Sequence, residues 1–205
     1  MATRKRLSPE ESRSTALAAA RSLLIEAGPQ AVTLKAVGAR VGRTHANLLH
    51  HFGSAAGLQK NLAAHLAQTV CESVAEAVRA TRAGLGAPRE IVDIAFDAFE
   101  QEGGGALVSW MLATGHEDAM EPFVETIHSM VDDLNPDEDG HSEDMIAHRS
   151  TLTIVLLALG QSLIGEPLAQ SLRLPAGTAR DVAERIITDE LVGRHGPERE
   201  ANRKA

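Results

Sequence analysis

Residues 33–52 read Thr-Leu-Lys-Ala-Val-Gly-Ala-Arg-Val-Gly-Arg-Thr-His-Ala-Asn-Leu-Leu-His-His-Phe. Thr33 can cap a short helix from Leu34 to Arg40, which Gly42 ends. Thr44 can cap a further helix that starts two residues later and runs to about His50. Two short helices joined by a tight turn, here Val41-Gly42-Arg43, form the geometry that sets the second helix into the major groove of DNA. Gly42 takes the positive backbone angle of such a turn at no steric cost. Gly38 lies inside the first helix, where it costs about 1 kcal/mol relative to Ala; close approach of the next helix would justify it. Val37, Val41 and Leu48 are spaced to form the small core between the helices. The outward face then carries Arg43, Thr44, His45, Ala46, Asn47 and His50. Arg can fork onto guanine, Asn can bridge adenine, and the methyls of Ala and Thr can touch thymine. Thr33 and Thr44 sit at helix N-termini, where backbone N–H groups favour phosphate oxygens. Lys35, His51 and Lys60 complete the candidate DNA-contacting set.

Helical signals extend both ways from this stretch. Upstream, Ser8-Pro9-Glu10-Glu11 combines a Ser cap, a Pro at the first helical position and a Glu three residues after the cap. Ala16, Leu17, Ala20, Leu23, Leu24 and Ala27 follow on one face, and Gly28-Pro29 stops the helix. Downstream of Gly53-Ser54, a long helix is expected over about 55–82, with Leu58, Leu62, Leu66, Val70, Val74 and Val78 at steps of four. Gly84, Gly86 and Pro88 make a linker. Further patterns run from Ile91 to Phe99, Leu107 to Leu112 and Phe123 to Leu134. An acidic loop spans Asn135 to His141, and a long helix spans 142–164. Pro167 and Pro175 bound a short piece, and a last helix runs over about 178–192. Strand-period alternation and repeats are missing. The expected fold is all-α. An N-terminal three-helix helix-turn-helix DNA-binding domain (1–53) precedes a helical ligand-binding and dimerisation bundle (54–193) and a charged, frayed tail (194–205).

Residues 13–58 resemble the TetR family of regulators. The matching positions are Leu24-Ile25-Glu26-Ala27-Gly28, Val32-Thr33, Val37-Gly38, Val41-Gly42, Thr44, Leu48, His51-Phe52, Ser54 and Leu58. The resemblance implies a homodimer that reads a palindromic operator in double-stranded DNA. It also implies a helical bundle that senses a small-molecule effector, and a dimer made through the last two long helices. Most relatives are repressors released by their ligand. Two positions depart from the pattern: Leu49 stands where the family usually has Tyr, and Ala55 where it has Lys. Both family residues typically reach phosphates, so their loss predicts weaker binding and a shallower salt dependence. His50, His51, Lys60 or a basic arm, Arg4-Lys5-Arg6, can compensate, since a flexible arm can enter a neighbouring minor groove. The alternative is a dimeric small-molecule-binding protein of the same fold whose DNA binding is weak or lost.

Charge and composition agree with that division. The net charge of the 205 residues is -8, yet residues 1–65 hold nine Lys and Arg against three Asp and Glu, while residues 66–205 hold eleven against 25. A basic module on an acidic body is the pattern of a nucleic-acid reader with a second function attached. Apolar residues make up 43%, but with four Phe, one Trp and no Tyr the mass lies in Ala, Leu and Val, which suit helix packing. Cys71 is the single cysteine, so no internal disulfide forms and a cytoplasmic location is expected. The N-terminus has no apolar stretch behind its charges. The apolar run Leu152–Ile164 is shorter than the roughly 20 residues of a membrane span. It is apolar on nearly all sides, so it should be buried on more than one. No membrane contact is expected.

Phe96, Phe99, Trp110, Met111, His116, Phe123, Ile127 and His128 are the candidate effector-pocket residues, since apolar walls with a few polar groups make small-molecule sites. Motifs of catalysis are missing: there is no Gly-x-Ser-x-Gly, no His-Glu-x-x-His and no Cys pair, and Gly103-Gly104-Gly105 lacks the Lys-Ser/Thr of a phosphate loop. His50 and His51 are adjacent and point about 100° apart on a helix, which is poor for joint metal ligation. In the acidic loop, Ile146 falls where calcium needs a bidentate Glu. Neither an enzyme, a cofactor nor a metal site is expected.

Overall fold

The computed structural model of the chain describes residues 8–115, 120–136 and 145–194, with side chains up to residue 190. The arm Arg4-Lys5-Arg6, His116, residues 137–141 of the expected acidic loop, the expected helix start at 142–144 and the tail beyond Arg194 lie outside the described residues. Within them the chain is all-α, with no strand.

Helix α1 (Pro9–Ala27) opens on the expected capping box. Ser8 Oγ accepts from the Glu11 N–H at 3.1 Å, and a Glu11 carboxylate oxygen accepts from the Ser8 N–H at 2.7 Å. After a short 3-10 turn at Pro29–Ala31 come α2 (Leu34–Val41) and α3 (His45–Phe52). Helix α3 starts one residue earlier and ends two later than its sequence signals indicate. Helix α4 (Ala55–Arg82) is a single rod of 28 residues, about 42 Å long at 1.5 Å per residue. These elements close one apolar core: Leu17, Ala20 and Leu24 from α1, Val37 from α2, Leu48 and Phe52 from α3, and Leu58 and Leu62 from α4. Leu107 and Met111 of α6 (Gly104–Ala113) enter the same core.

The second core lies around the far half of α4. It gathers Val92, Phe96 and Phe99 of α5 (Pro88–Glu100), Ile154 and Ala158 of α8 (Ile146–Gly160), and Ala183 and Ile187 of α10 (Thr178–Arg194). Helix α7 (Glu121–Leu134) packs along α4. Arg180 fastens α10 to α5. It donates to Asp93 at 2.8 Å and Asp97 at 2.7 Å, pairs with Glu100, and lies over the Phe96 ring at 5.1 Å.

Gly103-Gly104-Gly105 is a packing device. A Cβ added at these positions would come within 2.8 Å of Leu24 Cγ, 2.6 Å of the Ala98 carbonyl and 2.2 Å of Ser162 Oγ respectively. Three residues without side chains thus let the start of α6 press against α1, α5 and the segment after α8 at once.

One sequence boundary is corrected. Pro167 does not end the long helix. From Ile146 the chain stays helical to Ser171, passing through a π turn at Gln161–Gly165 into α9 (Glu166–Ser171). A proline ring collides with the carbonyl four residues back and lacks the N–H that would bond it. The wider π turn just before Pro167 absorbs that mismatch. The resulting helix of 26 residues is long and apolar enough to cross a membrane by length and composition. It is also buried on one side only: Ile154 and Ala158 face the core, while Leu152, Leu156, Leu163, Ile164 and Leu168 are each about half or more exposed.

Candidate functional site

The polar face of the head is built by capping and by two close approaches. Thr33 Oγ1 accepts from the Ala36 N–H at 3.1 Å, and Thr44 Oγ1 accepts from the Asn47 N–H at 3.3 Å. Each hydroxyl keeps its own hydrogen for an outside acceptor. Gly42 adopts the left-handed conformation, φ 66° and ψ 38°, and the Arg43 N–H donates to the Gly38 carbonyl at 2.8 Å. A Cβ on Gly38 would stand 2.9 Å from the Arg43 carbonyl oxygen, so the α2–α3 turn closes only over glycine. At the other end of α3, a Cβ on Gly57 would lie 2.0 Å from the Phe52 carbonyl oxygen. No signal in the flanking sequence marks that contact, because Gly57 sits inside an otherwise ordinary helix start.

Thr33, Lys35, Arg43, Thr44, His45, Ala46 and His50 are all exposed, and His51 and Lys60 are half-buried. Leu49 is 42% exposed on the same helix, and Ala55 is exposed at the first position of α4. Asn47 differs from its neighbours. It is half-buried, and its Oδ1 is buried without a hydrogen-bond partner. An amide held so cannot present both edges to adenine until it turns outward; leaving the oxygen unpaired costs about 1–3 kcal/mol. Two interactions brace the face from behind. The Arg40 guanidinium forks onto Glu26 at 2.9 and 2.7 Å, tying α2 to α1 and holding the Glu26 carboxyl below its ordinary range. Arg13 of α1 hydrogen-bonds Asn61 of α4 and lies 5.8 Å from the Phe52 ring of α3.

A second feature lies in the body. A cavity of about 150 Å³ is enclosed by α4, α5, α7, α8 and α10. Its walls are Leu66, Val70, Cys71, Val74 and Val78 of α4, Phe99 of α5, Phe123, Ile127, Met130 and Val131 of α7, and Ile154 and Val155 of α8. Polar groups gather at its edges. Arg82 donates to the Leu134 carbonyl at 2.6 Å and to Asn135 Oδ1 at 2.7 Å, and Asn135 donates onward to the Val131 carbonyl. Glu102, on another edge, pairs with Arg21 of α1 at 2.9 Å. Burial, with a smaller push from Glu72, raises the Cys71 thiol to about 11, so this wall stays protonated and neutral at physiological pH.

Of the residues expected to line a pocket, Phe99, Phe123 and Ile127 meet at this cavity, with the rings of Phe99 and Phe123 edge-on at 6.3 Å. Phe96 is fully buried beneath Arg180, and Met111 is fully buried in the core of the head. Trp110 is half-buried and is not part of the wall, and His128 is 57% exposed on the outer side of α7. Periodicity marks apolar faces, but a cavity exists only where several faces fail to meet. That is why the α4 wall, read from sequence as plain core spacing, was not singled out.

Residues 16–60 match the sequence profile of the bacterial regulatory proteins, tetR family. That segment holds α1 to α3, the caps, the turn glycines and the start of α4. The N-terminal segment is therefore similar to the helix-turn-helix domain of that family. No curated protein matches the chain.

Proposed function

We propose that the chain is a ligand-responsive regulator that binds a palindromic operator as a homodimer and is released from it by a small apolar effector. The observation that carries this reading is the double duty of α4. Its first turns complete the head core through Leu58 and Leu62, and its later turns form one wall of the cavity from Leu66 to Val78. A molecule that favours one arrangement of that wall biases the position of the head through an unbroken helix, which is linkage between two sites. The effector is neutral and largely apolar, because most of the lining residues are apolar and Cys71 stays protonated; one polar end can meet Arg82, Asn135, Glu102 or Glu190.

The dimer forms through α8 with its extension and α10. The exposed leucines and Ile164 make a continuous apolar stripe on a helix whose opposite face already backs the core. A second copy covers such a stripe with a self-complementary patch. The opposite face of the same helix packs on α5 and α10. Arg43, Thr44, His45, Ala46 and His50 face the groove, Asn47 turns outward to join them on contact, and Thr33, Lys35, His51 and Lys60 hold phosphates.

Selection from a random duplex library, at low and then near-physiological salt, tests the whole reading. The expected outcome is an enriched palindrome. Its affinity falls steeply with salt and drops by about 1–3 kcal/mol in Arg43→Ala. Leu156→Glu with Ile164→Glu yields monomers in sedimentation and loses the palindrome. No enrichment at either salt would favour the second reading, a ligand-binding dimer without DNA affinity, to which the exposed Leu49 and Ala55 in place of phosphate-reaching side chains point.

A further inference from the structure

We infer that His128, Asp132 and His148 form a binding site for a divalent transition-metal ion of the zinc class, tying α7 to α8 beside the cavity. His128 and Asp132 stand one helical turn apart on α7, and His148 reaches them from the first turn of α8. The Nε2 of His128 lies 3.4 Å from one Asp132 oxygen, and the Nε2 of His148 lies 2.9 Å from the other. The three donor atoms fall within 4.8 Å of one another. Ligands about 2.0–2.1 Å from a tetrahedral zinc sit roughly 3.4 Å apart. The Asp132 pairs are already near that spacing, and turning the exposed His128 closes the remaining gap.

The donor set decides the ion. Two imidazoles and one carboxylate suit zinc, cobalt, nickel or ferrous iron, whereas magnesium and calcium take oxygen ligands. Three protein ligands leave a coordination position open to water or another donor.

Position gives the site its consequence. Helix α7 packs chiefly on α4, and α8 chiefly on α5 and α10. The metal would thus join two cavity walls that otherwise meet only lightly. Ile127 and Val131, next to the two α7 ligands, and Ala147 and Ser150, on either side of His148, all line the cavity. Metal binding fixes that seam. The site does not depend on the cavity having an effector.

The test uses the tag-free, full-length protein after chelation and dialysis, titrated with zinc chloride by calorimetry and with cobalt chloride by visible absorption. One ion per chain is expected, with a cobalt spectrum of low coordination number, a higher melting temperature and no competition from excess magnesium. His148→Gln can still hydrogen-bond Asp132 but is a poor ligand; it should lower zinc affinity by at least the roughly 10–100-fold that losing an outer-sphere partner costs. The double variant His128→Ala/His148→Ala, checked for helicity by circular dichroism, should show neither the cobalt band nor the thermal shift. Absence of saturable binding to the wild type overturns the inference. So does undiminished binding by the double variant, which would place the ion on other residues.

Discussion

The head and the body of this molecule reach order by opposite means. The head is small, and local chemistry specifies nearly every turn of it. Ser8, Thr33, Thr44 and Ser54 each cap the helix that follows with their own hydroxyl, and Gly28, Gly42 and Gly53 end helices with positive φ. The body has fewer such devices. Among its helices, α5, α6, α7 and α8 have no side-chain cap. They are held by long-range contacts: the Arg180 clamp, the Arg89 pairs and the packing of Phe96. The body also keeps what a tightly specified core would eliminate, an apolar cavity and an exposed apolar stripe. The region closed by caps and glycine turns is locally over-determined, and the region held by long-range contacts leaves apolar surface unpaired.

The largest test of this contrast falls on Gly57. Gly57→Ala sets a Cβ against the Phe52 carbonyl, so α3 and α4 must part; about 3 kcal/mol of stability should be lost. Gly160→Ala, with nothing within 4 Å of the added Cβ and ordinary helical angles, should leave the protomer unchanged or stabilise it by up to about 1 kcal/mol. Equal urea midpoints for the two variants would mean that the head is not closely determined.

Acid should loosen the body through its clamp. Burial pushes the Asp93 carboxyl up, but hydrogen bonds from Arg180 and Arg89, with their charge, hold it below its ordinary value. A carboxylate depressed in the folded state contributes stability that is fully present above its unfolded value, about 3.9, and is lost as pH falls through the lower folded value. Melting temperature should therefore drop below about pH 4, and Arg180→Gln should reduce that acid-dependent part. An unchanged pH profile in Arg180→Gln would remove the clamp from the account. The effect is moderate, because Asp93 is 42% exposed and water screens the pair.

The smallest effect concerns Arg173, a non-glycine residue in the left-handed region at φ 58°, where the chain leaves α9. Arg173→Gly relieves that conformation and should raise stability by less than about 1 kcal/mol, since glycine's unfolded-state entropy offsets part of the gain. A lower melting temperature would show that the arginine side chain contributes more than its backbone costs.

The sequence was legible wherever the decisive interaction lay within a few residues. The capping box at Ser8, the stops at Gly28 and Gly42, the caps at Thr33 and Thr44 and both ends of α4 follow from neighbours in the chain. The break at Pro167 misled for a local reason, because a π turn a few residues upstream is not marked by composition. The outward set on α3 was legible as residue types, yet the inward turn of Asn47 was not, since it depends on what α3 packs against. The pairing of His128 with Asp132 was open to a reader who looked for ligands at helical spacing; His148, 16 residues further on, was not.

By itself the sequence determined the helical class, the helix-turn-helix and the sign of charge in each part. These are set by backbone capping, by periodicity and by counts, all of which act within one or two turns. Only the tertiary structure decided where the faces fail to meet and so leave a cavity, which face of α8 remains open, why three consecutive glycines stand at the start of α6, and which histidines converge. Each of these depends on the distance between helices far apart in the chain, and that distance is fixed by packing as a whole.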